Sequence, residues 1–200
     1  MNKTRLNSKQ QTTEDSEDVF VFPASFSQRQ LWFLHQVHPN SPAYNIPFAF
    51  HVSGLLDVDA LRRSLKRIVE RHETFRTTFA VHQDQLCQVV RPSLQLACPL
   101  VDLGVFEADD QVARTEQLIR DNAIAPFDLR NGPLIRCSII GLSDEQHVFL
   151  VAFHHSIVDH LSVLLFNQEL TKLYAAYSMG RDLSLEEPQI QVADFALWQK

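Results

Sequence analysis

The sequence contains little cysteine and glycine, no long apolar run and no block of basic charge. Among its 200 residues are three Cys and five Gly. The cysteines, Cys87, Cys98 and Cys137, are far apart and odd in number, so they indicate neither a disulfide framework nor a zinc knuckle. We expect them to be small, buried apolar residues. The longest apolar runs, such as Val148–Phe153, are far shorter than the roughly 20 residues of a transmembrane helix, so no membrane span is predicted.

The charge pattern argues against nucleic acid and anionic membranes as partners. The formal net charge is −6, and no basic segment exceeds the pairs Arg62–Arg63 and Lys66–Arg67. Most of such a surface repels polyanions. The first 18 residues have no apolar run behind Lys3 and Arg5, which excludes a secretory signal peptide, and we therefore expect the protein in the cytoplasm.

The sequence does contain enough apolar material for one globular domain. Hydrophobic residues make up 45% of the chain and 14 residues are Phe, whose rings bury large apolar areas. Residues 1–18 are polar and lack a periodic apolar face, which predicts a disordered leader or linker. The ordered part is expected to span residues 19–200. Its end just after Trp198, without a polar tail, suggests a truncated chain.

Helical and strand-like periodicities are mixed along the ordered part. The most regular helical pattern follows Asp57, a suitable N-cap, and continues to about Arg71. Further helices are predicted from Ser25 or Ser27 to Gln36, over Asp109–Ala123 and over Leu161–Met179, the last closed by Gly180. Strands are predicted at Phe48–Val52, Phe75–Val81, Leu86–Val90, Leu96–Val101, Leu134–Ile140 and His147–Phe153. Because these elements do not alternate strictly, we predict an α+β fold with a mixed β-sheet flanked by helices.

The densest group of chemically reactive side chains is the segment Phe153-His154-His155-Ser156-Ile157-Val158-Asp159-His160. It lies where a continuously apolar strand ends and a helix is about to begin. Successive side chains on a strand point to opposite faces, so we expect one histidine to face the packed interior and the other an opening. Asp159 is placed to fold back and bond either a histidine or a neighbouring Arg.

Other interpretations of this segment use the same residues. Adjacent histidines beside a strand are often structural, with each ring bonded to backbone, and spacing alone slightly favours that interpretation. The two histidines, Asp159 and His160 are competent metal ligands, but no known short signature has their order, so we expect no metal. Ser156 lacks the strained G-x-S-x-G turn of a hydrolase nucleophile, so we do not expect it to be a nucleophile.

Six segments, in the same order, resemble the motifs of condensation domains of nonribosomal peptide synthetases. These domains belong to the chloramphenicol-acetyltransferase-like superfamily, and the resemblance implies the fold of their N-terminal lobe. The segment that ends at Asp159 resembles the family signature H-H-x-x-x-D-G. The six matching segments are residues 23–34 (S-x-A-Q-x-R-L-W), 44–47 (Y-N-I-P), 71–79 (R-H-E-x-L-R-T-x-F), 126–136 (P-F-D-L…G-P-L-x-R), 153–159 and 192–199 (Y-A-D-Y-A-x-W-Q).

The resemblance implies a role for each residue of the signature. His155, the second histidine, is the expected catalytic residue, and His154 is expected to be mainly structural. Asp159 is expected to make an ion pair that holds the loop; Arg76 is one candidate for its partner and a residue of an absent second half is another. Structural support near the active site is expected from Arg71, His72 and Arg76.

The resemblance also implies the reaction. Such domains join an acyl or peptidyl thioester to the amine of an aminoacyl thioester, both held on phosphopantetheine arms of carrier proteins. No cofactor is expected to bind directly. The expected partners are donor and acceptor carrier proteins, a missing C-terminal lobe and neighbouring synthetase domains. Positioning two reactants and removing one proton suits a histidine near its ordinary pKa.

Two departures from the family pattern bear on function. His160 stands where the signature has glycine and adds bulk beside the expected route of a phosphopantetheine arm, so we place His160 and Ser156 at the substrate tunnel. The chain resembles only the first of two similar lobes, so an isolated chain is expected to be inactive or weakly active. Two other functions stay open: a catalytically silent module that docks carrier proteins, which His160 favours, and an ester-forming acyltransferase of the same superfamily.

Overall fold

The computed structural model describes residues 19–199, so the predicted leader at residues 1–18 lies outside the described residues. Within this range the helices are α1 (Phe26–Val37), α2 (Val58–Arg71), α3 (Ala108–Ile124), α4 (His160–Tyr177) and α5 (Val192–Trp198). The strands are β1 (Phe20–Pro23), β2 (Asn45–Ser53), β3 (Thr77–His82), β4 (Gln85–Val90), β5 (Leu100–Asp102), β6 (Ile135–Ser143) and β7 (Gln146–His154). No helix among the described residues is long and apolar enough to cross a bilayer.

The strands form two sheets. Strands β1, β4 and β3 make an antiparallel sheet in that order, and strands β2, β7, β6 and β5 make a second sheet in which β5 runs parallel to β6. The predicted α+β class with helices on a mixed sheet is therefore confirmed. Pro47 lies in β2, an edge strand, where the missing N–H removes no hydrogen bond to a second neighbour.

Strand β7 lies at the centre of the larger sheet and is buried on both faces, as its continuous apolar run predicts. On one face Phe149, Val151 and Phe153 belong to the main core, to which α2 and α4 contribute. On the other face Val148 and Leu150 form a smaller core with residues packed from β5 and α3. The end of β7 is thus held rigidly, which fixes the position of the histidines that follow.

Helix α2 forms where the sequence predicts it. The Asp57 side chain accepts a hydrogen bond from the Ala60 N–H at 2.8 Å, which satisfies a donor at the helix start. Leu61, Leu65 and Ile68 are buried at helical spacing. The predicted closing residue of α4, Gly180, has φ +66°, a left-handed conformation that glycine adopts without strain.

Two predicted strands are wrong in part. The segment predicted as a strand from Phe75 begins as a 3-10 turn, Glu73–Arg76, and the strand starts only at Thr77. The turn directs the Phe75 ring into the core, where it packs 5.9 Å from Phe153 and 5.8 Å from Phe166 between ring centroids. Tertiary packing therefore overrides the β-propensity of this segment.

The strand predicted over Leu96–Val101 is also shorter than expected. Pairing with β6 begins only at Leu100, because the preceding Pro99 has no N–H group to donate to a ladder. Cys98 and Cys137 are buried, as predicted, but Cys87 is only half-buried on β4. Cys137 lies on β6, and its Sγ is 3.4 Å from the Ala97 carbonyl oxygen.

Candidate functional site

The signature segment forms the connection between β7, which ends at His154, and α4, which begins at His160. The backbone N–H groups of its two histidines are held by chain segments on either side of β7. The His154 N–H donates to the Leu134 carbonyl at 2.9 Å, and the His155 N–H donates to the Tyr44 carbonyl at 2.9 Å. The backbone of both histidines is therefore fixed from both sides of β7.

His154 faces the interior, as strand alternation predicts for one of the pair. Its side chain is 4% exposed, and its Nδ1 accepts a hydrogen bond from the Ser156 N–H at 3.1 Å. The rings of His35, Tyr44 and Phe127 surround it edge-on. Burial lowers the pKa of His154 to about 4, with smaller contributions from the two nearby histidines. The ring is therefore neutral at pH 7 and unsuited to taking up a proton.

Acidification is expected to destabilise the chain through His154. Its folded pKa of about 4 lies below the ordinary 6.5, so stability present above pH 6.5 is lost as the pH falls and the unfolded state takes up a proton. Between pH 7 and pH 5 this loss is about 2 kcal/mol, at about 1.36 kcal/mol per pKa unit. Urea unfolding of the chain and of a His154→Gln variant at both pH values measures it.

The comparison isolates His154 because His35, whose pKa burial also lowers, is present in both proteins. Equal pH dependence in the two proteins would contradict the buried, neutral state of His154.

His155 has the opposite environment. Its side chain is exposed, and its Nδ1 lies 2.8 Å from the Val158 carbonyl oxygen. A carbonyl oxygen can only accept a hydrogen bond, so the neutral ring must carry its proton on Nδ1. The other ring nitrogen, Nε2, is then left with a free lone pair. This is the state of an imidazole that can accept a proton or a hydrogen bond from a reacting group.

Asp159 caps the helix that follows. Its Oδ1 accepts hydrogen bonds from the Ser162 N–H at 2.8 Å and the Ser162 hydroxyl at 2.6 Å. These bonds, with a smaller effect from His155, lower the pKa of the Asp159 carboxyl group. The carboxylate is therefore charged at neutral pH and close enough to His155 to interact with it electrostatically.

Arg76, one of the two candidates for the ion-pair partner of Asp159, does not pair with it in the described part of the chain. The Arg76 guanidinium instead donates to the backbone carbonyls of Val69, Glu70, Arg91 and Pro92. It therefore joins the end of α2 to the segment after β4. The described bonds of the Arg76 guanidinium thus go to backbone carbonyl groups and not to Asp159.

Ser156 and His160, both placed at a tunnel by the sequence, have different environments. Ser156 is buried, and its hydroxyl lies 2.8 Å from the Nδ1 of His154. This corrects the expectation for Ser156, because its side chain is directed to the interior histidine and not to an opening. His160 is the first residue of α4 and is exposed.

Arg71 and His72 converge on a carboxylate that the sequence patterns did not single out. Glu169 of α4 lies with its Oε1 3.1 Å from the Arg71 Nε and its Oε2 2.8 Å from the His72 Nε2. The side chains of Glu169 and Arg71 are only 7% and 9% exposed. This buried network joins the end of α2 to the helix that follows the histidines.

The carbonyl oxygens of the loop are held by two further side chains whose roles the sequence did not reveal. The Gln28 Nε2 donates to the Ser156 carbonyl at 3.3 Å, and the Thr74 hydroxyl donates to the Ile157 carbonyl at 2.8 Å. Gln28 lies in the first matching segment and Thr74 in the third. Both residues lie far from the histidines in the sequence, so sequence patterns do not reveal that they contact the loop. No group of three His, Cys, Asp or Glu side chains within residues 19–199 is arranged to hold a metal ion.

The fold and this histidine loop define a lobe of the chloramphenicol-acetyltransferase-like class. A family model described as the condensation domain matches residues 20–200. The chain belongs to the condensation-domain family, which confirms the resemblance inferred from the six segments.

The relatives are long synthetases. The chain is 44% identical over 180 residues to a linear gramicidin synthase of Brevibacillus parabrevis, a match that covers 90% of this chain and 2% of that protein. It is 40% identical over 180 residues to chondramide synthase cmdD of Chondromyces crocatus, covering 90% of this chain and 5% of that protein. The chain therefore corresponds to a small part of these relatives.

Solved structures agree on the fold. The starter condensation domain of rhizomide synthetase RzmA superposes with a TM-score of 0.80 at 22% identity, covering 90% of this chain and 43% of that chain. The X-domain in a complex with OxyB from teicoplanin biosynthesis superposes with a TM-score of 0.77 at 26% identity, covering 94% of this chain and 39% of that chain.

Proposed function

We propose that this chain is the first lobe of an amide-forming condensation domain of a nonribosomal peptide synthetase, working in the cytoplasm. The donor is an acyl or peptidyl thioester and the acceptor an aminoacyl thioester, each on the phosphopantetheine arm of a carrier protein. The observation that carries the proposal is the exposed ring of His155, held by Val158 so that its Nε2 has a free lone pair.

In this proposal the Nε2 of His155 accepts the proton of the attacking amine. The amine nitrogen bonds to the thioester carbonyl carbon, the carbon–sulfur bond breaks, and the proton passes to the leaving thiolate of the donor arm. A thioester is already activated, so no covalent enzyme intermediate is required. The Asp159 carboxylate favours the transient imidazolium through its charge. The rest of the rate acceleration comes from holding the two tethered reactants in a reactive orientation.

Because the side chain of His155 is exposed, we expect a second protein surface to cover it in the working enzyme. Solved structures of similar fold are more than twice as long, since the chain spans 43% of the rhizomide synthetase domain. We propose that a C-terminal lobe covers His155 and completes a tunnel reached by the two carrier proteins.

The test uses residues 20–200 joined to the segment that follows the matching region in the linear gramicidin synthase. This domain is incubated with a donor-loaded and an acceptor-loaded carrier protein, and the product is followed by mass spectrometry. An amide that forms only when both carriers are present supports the proposal. Omission of either carrier is the matched control. A product that forms with a free alcohol in place of the acceptor carrier would instead indicate the ester-forming acyltransferase.

A silent carrier-docking module is the second candidate, and His160 favours it. An exposed imidazole stands at the start of α4, two residues beyond the Val158 carbonyl that holds His155, where the family signature has glycine. Carrier binding without product would support this candidate. Product that appears only in a His160→Gly variant would show that the imidazole of residue 160 blocks an otherwise competent site.

A further inference from the structure

The loop that carries His155 has three consecutive carbonyl groups that face three different donors. The Ser156 carbonyl accepts from Gln28 at 3.3 Å and the Ile157 carbonyl from Thr74 at 2.8 Å. The third, the Val158 carbonyl, accepts from the ring of His155 itself at 2.8 Å. The Val158 carbonyl therefore orients the ring of His155. The two carbonyl groups before it in the chain are held by side chains of α1 and of the turn before β3.

Gln28 can fix the loop because its own amide has a single orientation. Its Oε1 accepts from the Ser25 N–H at 2.8 Å, so its Nε2 must face the opposite side. There the Nε2 donates to the Gln88 Oε1 at 2.9 Å as well as to Ser156, and the Gln88 Nε2 donates to the Pro23 carbonyl at 3.0 Å. Both glutamines are buried, so water does not compete for these bonds.

We infer that Gln28 and Thr74 are positioning residues for His155, which hold the Ser156–Val158 backbone so that the Val158 carbonyl keeps the proton on Nδ1. Neither residue is placed to touch substrate, because Gln28 is buried beneath the loop and the Thr74 hydroxyl is bonded to it. Loss of either bond allows the Val158 carbonyl to move away from the His155 ring. The ring then samples the tautomer with its proton on Nε2, which cannot accept a proton from an amine.

The direct test is the tautomer of His155, read by two-bond proton–nitrogen NMR of the full chain labelled in its histidine rings. The unmodified chain is expected to show one state, with the proton on Nδ1. Thr74→Val, which keeps the shape and removes the hydroxyl, is expected to populate the Nε2-protonated state as well. Thr74→Ser retains a hydroxyl and is expected to restore the single state. Gln28→Leu is expected to act like Thr74→Val.

The matched control is Thr171→Val, which removes a hydroxyl that donates to the Asn167 carbonyl at the same distance, 2.8 Å, on the exposed side of α4. It is expected to leave the His155 tautomer unchanged. If Thr74→Val and Gln28→Leu are folded and His155 keeps its proton on Nδ1 in both, the inference is wrong. Should Gln28→Leu fail to fold, the Thr74 series alone decides.

A second readout rests on the proposed function. In the completed domain, Thr74→Val is expected to lower kcat for amide formation about tenfold and to leave KM within about twofold of the unmodified value. The reason is that a small misplacement of a reacting group slows the chemical step. A changed tautomer in a protein that makes no amide would support the positioning role and reject the proposed reaction. An unchanged kcat despite a mixed tautomer would reject the link between positioning and rate.

Discussion

His155→Ala is expected to lower the rate of amide formation in the completed domain by about a thousandfold, within the roughly 10²–10⁴-fold range of general acid–base catalysis. The variant removes the imidazole whose Nε2 carries the free lone pair, while the carriers and the rest of the loop are unchanged. The rate is measured under single-turnover conditions with both carriers loaded, so that product release does not mask the chemical step.

The loss of activity in His155→Ala must be distinguished from a loss of folded protein, and the environment of His155 makes this possible. The side chain is exposed and its ring bonds to the Val158 carbonyl of its own loop, so we expect the urea midpoint to change little. His51→Ala is the matched control, since it removes another exposed histidine, on β2. The proposal fails if His155→Ala forms amide at the unmodified rate.

Glu169→Ala is expected to destabilise the chain by about 3–5 kcal/mol, the cost of removing one partner of a buried ion pair. The variant leaves the Arg71 guanidinium without a close carboxylate. The other carboxylate that it pairs with is that of Glu187, an exposed residue, whose Oε2 is 3.8 Å from the Arg71 Nη1. His72 loses its partner as well. The free energy of unfolding in urea at pH 7 measures this loss.

Glu116→Ala provides the comparison. Glu116 pairs with Arg120 at 3.3 Å on α3, a separation close to the 3.1 Å of the buried pair, but the two side chains are 61% and 57% exposed. Exposed pairs contribute less than about 1 kcal/mol, so this variant is expected to unfold near the unmodified midpoint. Similar destabilisation by both variants would show that burial does not strengthen the Glu169 network.

The elements that are best predicted from sequence are those whose stability is decided locally. Helix α2 has a capping side chain at Asp57 and buried residues at helical spacing, and β7 has a run of apolar residues bounded by a polar turn. Both signals are contained in one short window. The strand prediction at Phe75 is wrong because a window cannot show that its ring packs against Phe153 and Phe166.

At the candidate site, too, features that are decided locally can be predicted from sequence, whereas contacts between distant segments cannot. The opposite environments of His154 and His155 follow from strand alternation, which is local. The helix cap of Asp159 also has a local signal, since Asp precedes a helical pattern with Ser three residues on, but the resemblance implied an ion pair instead. Glu169 and Gln28 are not predictable, because each meets its partner across about a hundred residues of chain, and an acidic or amide side chain on a helix is usually solvated.

A ring that lies open on the surface of a lobe is as accessible to water as to an amine. In the proposed reaction, water that attacks a thioester beside His155 would release a free carboxylic acid, and the acyl chain would be lost from its carrier. If the proposed reaction and the proposed covering lobe are correct, the share of thioester that ends as peptide would depend on how completely that lobe excludes solvent. Side chains at the rim of that cover, rather than the group that moves the proton, would determine the fidelity of chain transfer.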